Sequence, residues 1–415
     1  EDSGAKVIIG SADKAEPLLD LKGSGALSEV VLFGEQVATG ASSFEDWLKT
    51  GADSFDVAQR DRDELAAICY TSGTTGHPKG AMHSHRNIVT NAHGTALMHV
   101  RTTRDILVNS LPLPHVYGSV VFNSSFMYGM TLVIVPRFEE EAVLSAIQQH
   151  RATILDGVPT VYYFLLSHPK FDDYDLSSLT RSMVGGQTLP AAKSIEWTER
   201  VTTPVLELWG MTELAGAATA NPYYGDNKPG TIGLMYPGSE GKVVSADDPN
   251  VELGAGEEGE FMVRGPLVML GYYGNDEATQ NAMAPGNWMH TGDIATRDED
   301  NYFTIVDRKK DMILTAGYNV YPAELERVIC GHRAVALAAV GRIPDEARGE
   351  LAKAYVVLKP NAQASGQEIV DFCRETLAAY KLPRAVQFVD SVPQTSSGKI
   401  MRRLLSEIDD GNRAL

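Results

Sequence analysis

The sequence predicts an α/β protein in which a large N-terminal domain precedes a small α+β C-terminal domain. Three observations predict this class. Short apolar runs alternate with amphipathic stretches up to about residue 220, glycine and proline become frequent with short strands from about 230 to 307, and a compact βαβ-like unit follows. Because alternating strands and helices are typical of helix-covered parallel sheets, we expect mixed and parallel sheets followed by a β-rich subdomain.

The elements of the large domain follow from these apolar runs. Predicted strands lie at residues 4–10, 30–33, 65–70, 106–111, 131–135, 153–155, 183–184 and 205–208. Residues 140–150 and 191–200 are long enough and amphipathic enough to be helices. Because the chain begins without Met and almost directly in a strand, we expect it to be a fragment or to lack its N-terminus.

The later elements divide at a charged stretch, residues 307–311. Before it, the runs at 259–265 and 302–307 are predicted strands of the β-rich subdomain. After it, strands are expected at 334–341, 353–358 and 385–389, with a helix near 368–379. We therefore place the domain boundary near Lys310, giving domains of residues 1–309 and 310–415.

Composition narrows the functional class. The 415 residues are 43% hydrophobic and 22% charged, as in ordinary globular proteins. A net charge of −18 argues against nucleic acid as a partner, because phosphate backbones need a basic face. The three cysteines form no CxxC pair, which favours reduced thiols and a cytoplasmic protein. The sequence contains no run of about 18 apolar residues, so it predicts no membrane span.

Residues 70–80, YTSGTTGHPKG, are the most informative segment. Glycines allow a tight bend that exposes backbone N–H groups, while hydroxyl side chains and one lysine add donors. Such a loop is suited to phosphate oxygens. The P-loop pattern GxxxxGK[ST] fails because Pro78 occupies its second glycine position. A plain polar loop between strands is the alternative. The candidate phosphate ligands are Thr71, Ser72, Gly73, Thr74, Thr75, Gly76 and Lys79.

Further motifs accompany this loop in a fixed order. They are LPHVYG (113–118), GGQTLP (185–190), WGMTE (209–213), GEFMVRGPLVMLGYY (259–273), WMHTGD (288–293), DRKKDMILTAGYNVYPAELE (307–326) and PQTSSGKIMRR (393–403). With this ordered set the chain resembles the adenylate-forming superfamily, which includes acyl- and aryl-CoA synthetases, firefly luciferase and the adenylation domains of peptide synthetases. The resemblance covers essentially the whole chain.

The resemblance implies a reaction in two halves. A carboxylate attacks the α-phosphate of ATP to give an acyl-adenylate and pyrophosphate, and a thiol, usually that of CoA, then takes the acyl group. Charge on the triphosphate must be neutralised, so Mg²⁺ is expected beside ATP and CoA. Lys399, in the SSGKI segment, would stabilise the adenylation transition state, with a solvated lysine as the alternative.

The resemblance also implies roles for the WGMTE and GGQ motifs. Glu213 would hold Mg²⁺ and Thr212 would contact the α-phosphate. Trp209 would stack on adenine, where most relatives have Tyr or Phe, although a core tryptophan is a serious alternative. The remaining predicted nucleotide-binding residues are Gly185, Gly186, Gln187, Gly210 and Met211.

Four further residues complete the implied site. Asp293 would accept hydrogen bonds from both ribose hydroxyls, with Arg308 supporting the ribose. His115 would lie by the carboxylate, unless it is a satisfied core histidine. Lys310 matches the hinge position about which the small domain would be mobile.

The thiol tunnel and the substrate are less closely defined. Gly317 would line the CoA tunnel, where Ala316 replaces a glycine that is usual in the family. The predicted acyl-pocket walls, 116–126, 183–187 and 210–218, are mostly apolar or small, which favours a medium- or long-chain fatty acid over an amino acid. An aryl- or cinnamate-type CoA ligase, a luciferase-like oxidoreductase and an inactive binding module remain alternatives, and a homodimer is left open.

Overall fold

The computed structural model describes residues 2–71, 78–394 and 400–412 of the chain. Within these ranges the helices vary from 5 to 14 residues in length. They are α1 (Ala15–Leu19), α2 (Phe44–Thr50), α3 (His85–Met98), α4 (Val116–Met127), α5 (Glu140–His150), α6 (Pro159–Ser167), α7 (Ala191–Val201), α8 (Asp276–Ala282), α9 (Pro322–Cys330), α10 (Gly366–Arg374) and α11 (Leu405–Asn412).

The strands of the first two hundred or so residues confirm the predicted runs. They are β1 (Val7–Ser11), β2 (Glu29–Phe33), β3 (Ser42–Ser43), β4 (Leu65–Thr71), β5 (Lys79–Ser84), β6 (Ile106–Asn109), β7 (Thr131–Ile134), β8 (Ile154–Gly157), β9 (Arg181–Val184), β10 (Val205–Met211) and β11 (Gly216–Ala220).

The remaining strands belong to the β-rich region and to the C-terminal part. They are β12 (Leu234–Met235), β13 (Glu240–Val244), β14 (Gly259–Arg264), β15 (Gly271–Tyr272), β16 (Met283–Ala284), β17 (Trp288–Arg297), β18 (Phe303–Arg308), β19 (Ile313–Thr315), β20 (Tyr318–Val320), β21 (Val335–Asp345), β22 (Gly349–Leu358) and β23 (Ala385–Phe388).

A seven-stranded sheet forms the centre of the large domain, in the order β12-β11-β10-β9-β8-β6-β7. Its strands from β10 to β7 are parallel, whereas β11 and β12 run antiparallel, so the predicted mixed character is confirmed. The parallel strands β8 and β9 are fully buried, as expected when helices cover both faces, whereas the edge strand β7 is partly exposed. Their carboxyl ends lead directly into the GGQ and WGMTE motifs.

Three smaller sheets complete the first 308 residues. β1, β2 and β3 form a parallel sheet, and β15, β5 and β4 form an antiparallel one. The β-rich subdomain is an antiparallel sheet of β13, β14, β17 and β16, with β18 added to β17. The second of these sheets carries Thr71 and Lys79 at the two ends of the phosphate-loop motif.

The C-terminal part contains its own sheet, β20-β19-β22-β21, with β23 parallel to β22. The predicted βαβ unit is confirmed as β22, α10 and β23. A capping box begins α10, because Ser365 Oγ accepts from the Glu368 backbone N–H. Every sheet lies wholly on one side of Lys310, and the boundary there stays a prediction.

Across the described ranges, no helix combines the length and the apolar character needed to cross a membrane.

Candidate functional site

Helix α3 is the scaffold on which the WGMTE turn rests. The Asn91 side-chain amide donates to the carbonyls of Leu214 and Ala217, at 2.9 and 2.7 Å. In β5, His83 Nε2 lies 2.7 Å from the Thr212 carbonyl oxygen. Burial lowers the pKa of His83, which favours a neutral ring that donates from Nε2. Buried donors thus fix the backbone of the turn that carries Glu213.

Two glycines allow this turn to approach β10 closely. A Cβ at Gly210 would lie 1.9 Å from the Gly216 carbonyl oxygen, so no larger residue fits without moving the backbone. Gly216 has φ +134°, and a Cβ there would lie 2.3 Å from Val120 on α4. The predicted pocket segments 116–126 and 210–218 are therefore in direct contact.

Glu213 and Lys79 both contact one aromatic side chain. The Tyr272 hydroxyl donates to Glu213 Oε1 at 2.7 Å, and Lys79 Nζ lies 5.2 Å from the centroid of the Tyr272 ring. Within the described residues, this is the only side-chain hydrogen bond found on Glu213. Its second oxygen, Oε2, can bind a cation, and a Mg²⁺ ion that bridges phosphates needs only one or two protein carboxylates. The residues present therefore fit Mg²⁺.

Asp293 is buried, where it accepts a hydrogen bond from Trp209 and forms an ion pair with Arg308. Trp209 Nε1 donates to Oδ2 at 2.8 Å, and Arg308 Nε lies 2.7 Å from Oδ1. Asp293 and Arg308 face each other across the β17–β18 ladder. A carboxylate is an acceptor-only group with about four lone-pair sites on its two oxygens. The arrangement is compatible with a ribose diol.

Trp209 is more buried than an open stacking platform. Its side chain is 8% exposed and packs against Phe261, with 5.0 Å between ring centroids. Stacking on adenine stays a prediction, and the structure adds a hydrogen-bonding role towards Asp293.

The GGQ motif lies where β9 ends. Gly185 is buried against Leu208, while Gly186, with φ +89°, and Gln187 are exposed. Next to them, Glu207 is 2% exposed and accepts from the Gly230 N–H at 2.6 Å and from the Leu189 backbone. Burial raises the pKa of Glu207 to about 7. Glu207 thereby connects the loop after Gln187 to the turn at Gly230.

His115 lies at the N-cap of α4, where Nδ1 accepts from the Tyr117 N–H at 3.2 Å. It is exposed, so the alternative of a core histidine is wrong. Beneath α4, the Tyr117 hydroxyl donates to Asp156, which forms a fully buried ion pair with Arg101 at 2.8 Å. This polar pair holds α4 against the sheet.

The region around Lys310 is held by Arg402. Lys310 is exposed in a 3₁₀ helix, Lys309–Asp311, and its carbonyl accepts from Arg342 at 3.0 Å. Arg402 contacts Asp311 at 2.9 Å, Asp307 at 3.2 Å and both oxygens of Glu326 at 3.0 and 2.6 Å. Burial raises the pKa of Asp307 to about 6 against the opposing effect of Arg402.

The CoA-tunnel prediction falls on an exposed hairpin. Gly317 has φ +85° and Ala316 φ +50°, and both are exposed between β19 and β20.

Of the predicted phosphate ligands, Thr71 and Lys79 lie at paired positions of β4 and β5. Several predicted residues lie outside the described residues, namely Ser72, Gly73, Thr74, Thr75, Gly76 and Lys399.

Sequence reasoning missed four residues that organise the site: Tyr272, His83, Asn91 and Glu207. Tyr272 lies inside the motif of residues 259–273, but no local signal points to its partner. The other three lie outside the motifs, and only their buried polar character distinguishes them from ordinary core neighbours.

The AMP-binding enzyme profile matches residues 1–273, and that of the AMP-binding enzyme C-terminal domain matches residues 324–399. The chain belongs to the AMP-binding enzyme family. Its mixed α/β fold is also that of solved family members. The ATP-bound structure of MatB from Rhodopseudomonas palustris superimposes with a TM-score of 0.91 at 32% identity, covering 98% of this chain and 80% of that one.

Two curated relatives illustrate the range of the family. A long-chain-fatty-acid–CoA ligase of Bacillus subtilis is 38% identical over 353 residues, which is 84% of this chain and 62% of the relative. A feruloyl-CoA synthase of an Amycolatopsis species is 36% identical over 403 residues, which is 97% of this chain and 78% of the relative. The chain thus spans 62% of the length of the bacterial fatty-acid ligase.

Proposed function

We propose that this chain is an AMP-forming acyl-CoA synthetase. It activates a carboxylic acid with ATP through an acyl-adenylate and then transfers the acyl group to the thiol of CoA. One observation carries the proposal: Lys79 and Glu213, from motifs more than a hundred residues apart, meet at the Tyr272 side chain. A cation and a carboxylate so placed can serve the phosphates and the metal of one nucleotide.

In the first half-reaction, a carboxylate oxygen of the acid forms a bond to the α-phosphorus, and the bond to pyrophosphate breaks. Lys79 and the loop before it would hold the β- and γ-phosphates, and Thr212 the α-phosphate. Glu213 would hold Mg²⁺, which when bound neutralises charge on the phosphate oxygens. Asp293, oriented by Trp209 and Arg308, would accept from the ribose hydroxyls.

In the second half-reaction, the thiolate sulfur bonds to the acyl carbon, and the bond to AMP breaks, its electron pair leaving with AMP. We propose that Lys310 is the hinge between the two halves, because every sheet lies on one side of it. Gly317, in an exposed hairpin after this hinge, is free to enter a tunnel after rotation.

The acid that we favour is a medium- or long-chain fatty acid. The contact between Gly216 and Val120 gives the predicted pocket a small, apolar wall, and the fatty-acid ligase relative supports this choice. An aryl acid is the second candidate, because the feruloyl-CoA synthase matches nearly the whole chain.

Other partners follow from the same proposal. We expect ATP, Mg²⁺, CoA and the acid as small-molecule ligands, without nucleic acid. Cys69, Cys330 and Cys373 are free thiols, which is consistent with the cytoplasmic location that we propose. A homodimer remains an open expectation.

The test is one incubation with ATP, Mg²⁺ and CoA against fatty, aryl and amino acids, read by mass spectrometry. Acyl-CoA from fatty acids supports the proposal, and acyl-CoA from aryl acids selects the second candidate. Acyl-AMP without acyl-CoA would contradict the thiol acceptor, and neither product would contradict the enzyme function.

Lys399→Ala separates the half-reactions. We expect acyl-adenylate formation to fall by about 100-fold or more, because the cation at the developing charge is lost. Thioester formation from supplied acyl-adenylate should persist. Equal loss of both steps would contradict the role of Lys399.

A further inference from the structure

The contacts of Tyr272 define a role for it within the proposed reaction. We propose that Tyr272 is a positioning residue, which holds the Glu213 carboxylate and the Lys79 ammonium apart and so sets the affinity for Mg²⁺-bound ATP. This inference rests on the proposed function. Its hydroxyl is 2.7 Å from Glu213 Oε1 and its ring 5.2 Å from Lys79 Nζ, so one side chain contacts both charged groups.

Without such a contact, neighbouring opposite charges tend to pair with each other. Among the described residues, Lys79 and Glu213 each contact Tyr272 and form no salt bridge with each other. The phenol satisfies one carboxylate oxygen with a charge-assisted hydrogen bond and offers the ammonium an aromatic face. The Lys79 ammonium therefore remains available to bind phosphate, and the second oxygen of Glu213 remains available to bind the metal.

The backbone of Tyr272 is fixed well enough for this role. Its N–H donates to Thr279 Oγ1 at 2.8 Å, and β15 pairs with β5, placing Tyr272 opposite Ala81. On the other side, the Met269 N–H donates to the Glu213 carbonyl at 2.9 Å. The side chain is 9% exposed. Because both strands and the Glu213 turn are tied together, the ring has little freedom to leave its position.

The phenol also keeps its proton. The hydroxyl donates to the Glu213 carboxylate, and a phenol, which ordinarily loses its proton only near about pH 10, is a donor at neutral pH. A tyrosinate would repel Glu213 instead of orienting it. The role is thus a constant orienting contact.

The test is Tyr272→Phe, which keeps the ring over Lys79 and removes only the hydroxyl. The dissociation constant of a non-hydrolysable ATP analogue is measured by calorimetry with Mg²⁺ and, separately, with EDTA. We expect about a tenfold increase with Mg²⁺, the size typical of a lost hydrogen bond to a charged group, and a much smaller change in EDTA. Tyr273→Phe, the same substitution one residue later, is the matched control and should bind as wild type does.

A double-mutant cycle with Glu213→Gln supplies a second readout. If Tyr272 acts through Glu213, the double variant should bind Mg²⁺-bound analogue no more weakly than Glu213→Gln alone. Additive losses, equal losses with Mg²⁺ and EDTA, or an unchanged Tyr272→Phe would overturn the inference. Wild-type protein that binds no nucleotide would instead overturn the proposed function, and the inference with it.

Discussion

The indole of Trp209 donates a 2.8 Å hydrogen bond to Oδ2 of Asp293, and the two side chains are 8% and 2% exposed. They lie on different sheets, at the end of β10 and within β17. A buried carboxylate costs free energy unless donors satisfy it, so the indole N–H stabilises the ionised form. The predicted adenine-site and ribose-site residues are thus parts of one hydrogen-bonded unit.

Trp209→Phe should therefore affect the ribose site, because the donor is lost while an aromatic ring remains. We expect ATP to bind about 5- to 10-fold more weakly and the preference for ATP over 2′-deoxy-ATP to shrink. Competition binding with the two nucleotides measures both effects. Trp197→Phe is the control, because Trp197 is also buried and donates to Ser182 Oγ at 3.0 Å, away from Asp293. An undiminished preference in Trp209→Phe would argue against the ribose contact.

Glu207 predicts a specific dependence of stability on pH. Its pKa rises from 4.5 to about 7 on folding because of burial, so between these values the folded state keeps a proton that the unfolded state has lost. The free energy of unfolding should fall by up to about 3 kcal/mol as pH rises through this window, and the loss should persist above it.

Glu207→Gln isolates that effect, since an amide has no such titration and its oxygen still accepts from Gly230. Urea unfolding of both proteins at pH 5 and pH 8 is the measurement. The stability of wild type relative to the variant should be lower at pH 8. If the difference in unfolding free energy between wild type and variant were the same at pH 5 and pH 8, Glu207 would not be protonated in the folded protein.

Arg402 predicts a link between the C-terminal segment and the first half-reaction. Arg402→Lys cannot make the paired contacts to Glu326 while also reaching Asp307 and Asp311, which leaves clustered carboxylates less well compensated. Because Arg402 joins Asp307, before the proposed hinge, to Asp311 and Glu326 after it, we expect acyl-adenylate formation to slow by about 10-fold, which corresponds to about 1.4 kcal/mol. Thioester formation from supplied adenylate should change less. Arg403→Lys is an exposed neighbouring control, and an equal effect of both variants would contradict the assignment.

The positive φ of Ala316 predicts that replacing it with glycine stabilises the protein. This φ of +50° costs an alanine about 1 kcal/mol relative to glycine. Ala316→Gly should therefore raise the free energy of unfolding of the C-terminal part by up to about 1 kcal/mol. Ala347→Gly, in an exposed turn without a positive φ, should be neutral or destabilising. Thermal unfolding measures the stability of both variants. Equal effects of the two substitutions would refute the strain argument.

Much of the fold could be predicted because its signals are local. The strands β6 to β10 each contain a short apolar run, and the predicted bounds of α5, residues 140–150, are those found. Helix α4 was not predicted as a helix, because VYGSVVFNSSFM is apolar around much of its circumference and lacks a polar face. Strand β15, of two residues, exists only through its pairing with β5.

For the site, the sequence determined which chemical groups are present and in which order: the phosphate loop, the WGMTE carboxylate, Asp293 and the terminal lysine. Only the tertiary structure decided which of them share a partner. Tyr272 meets Glu213 and Trp209 meets Asp293 across 59 and 84 residues of chain. Such pairs arise when separate sheets pack together, and because their geometry depends on every contact between those sheets, no local pattern specifies it.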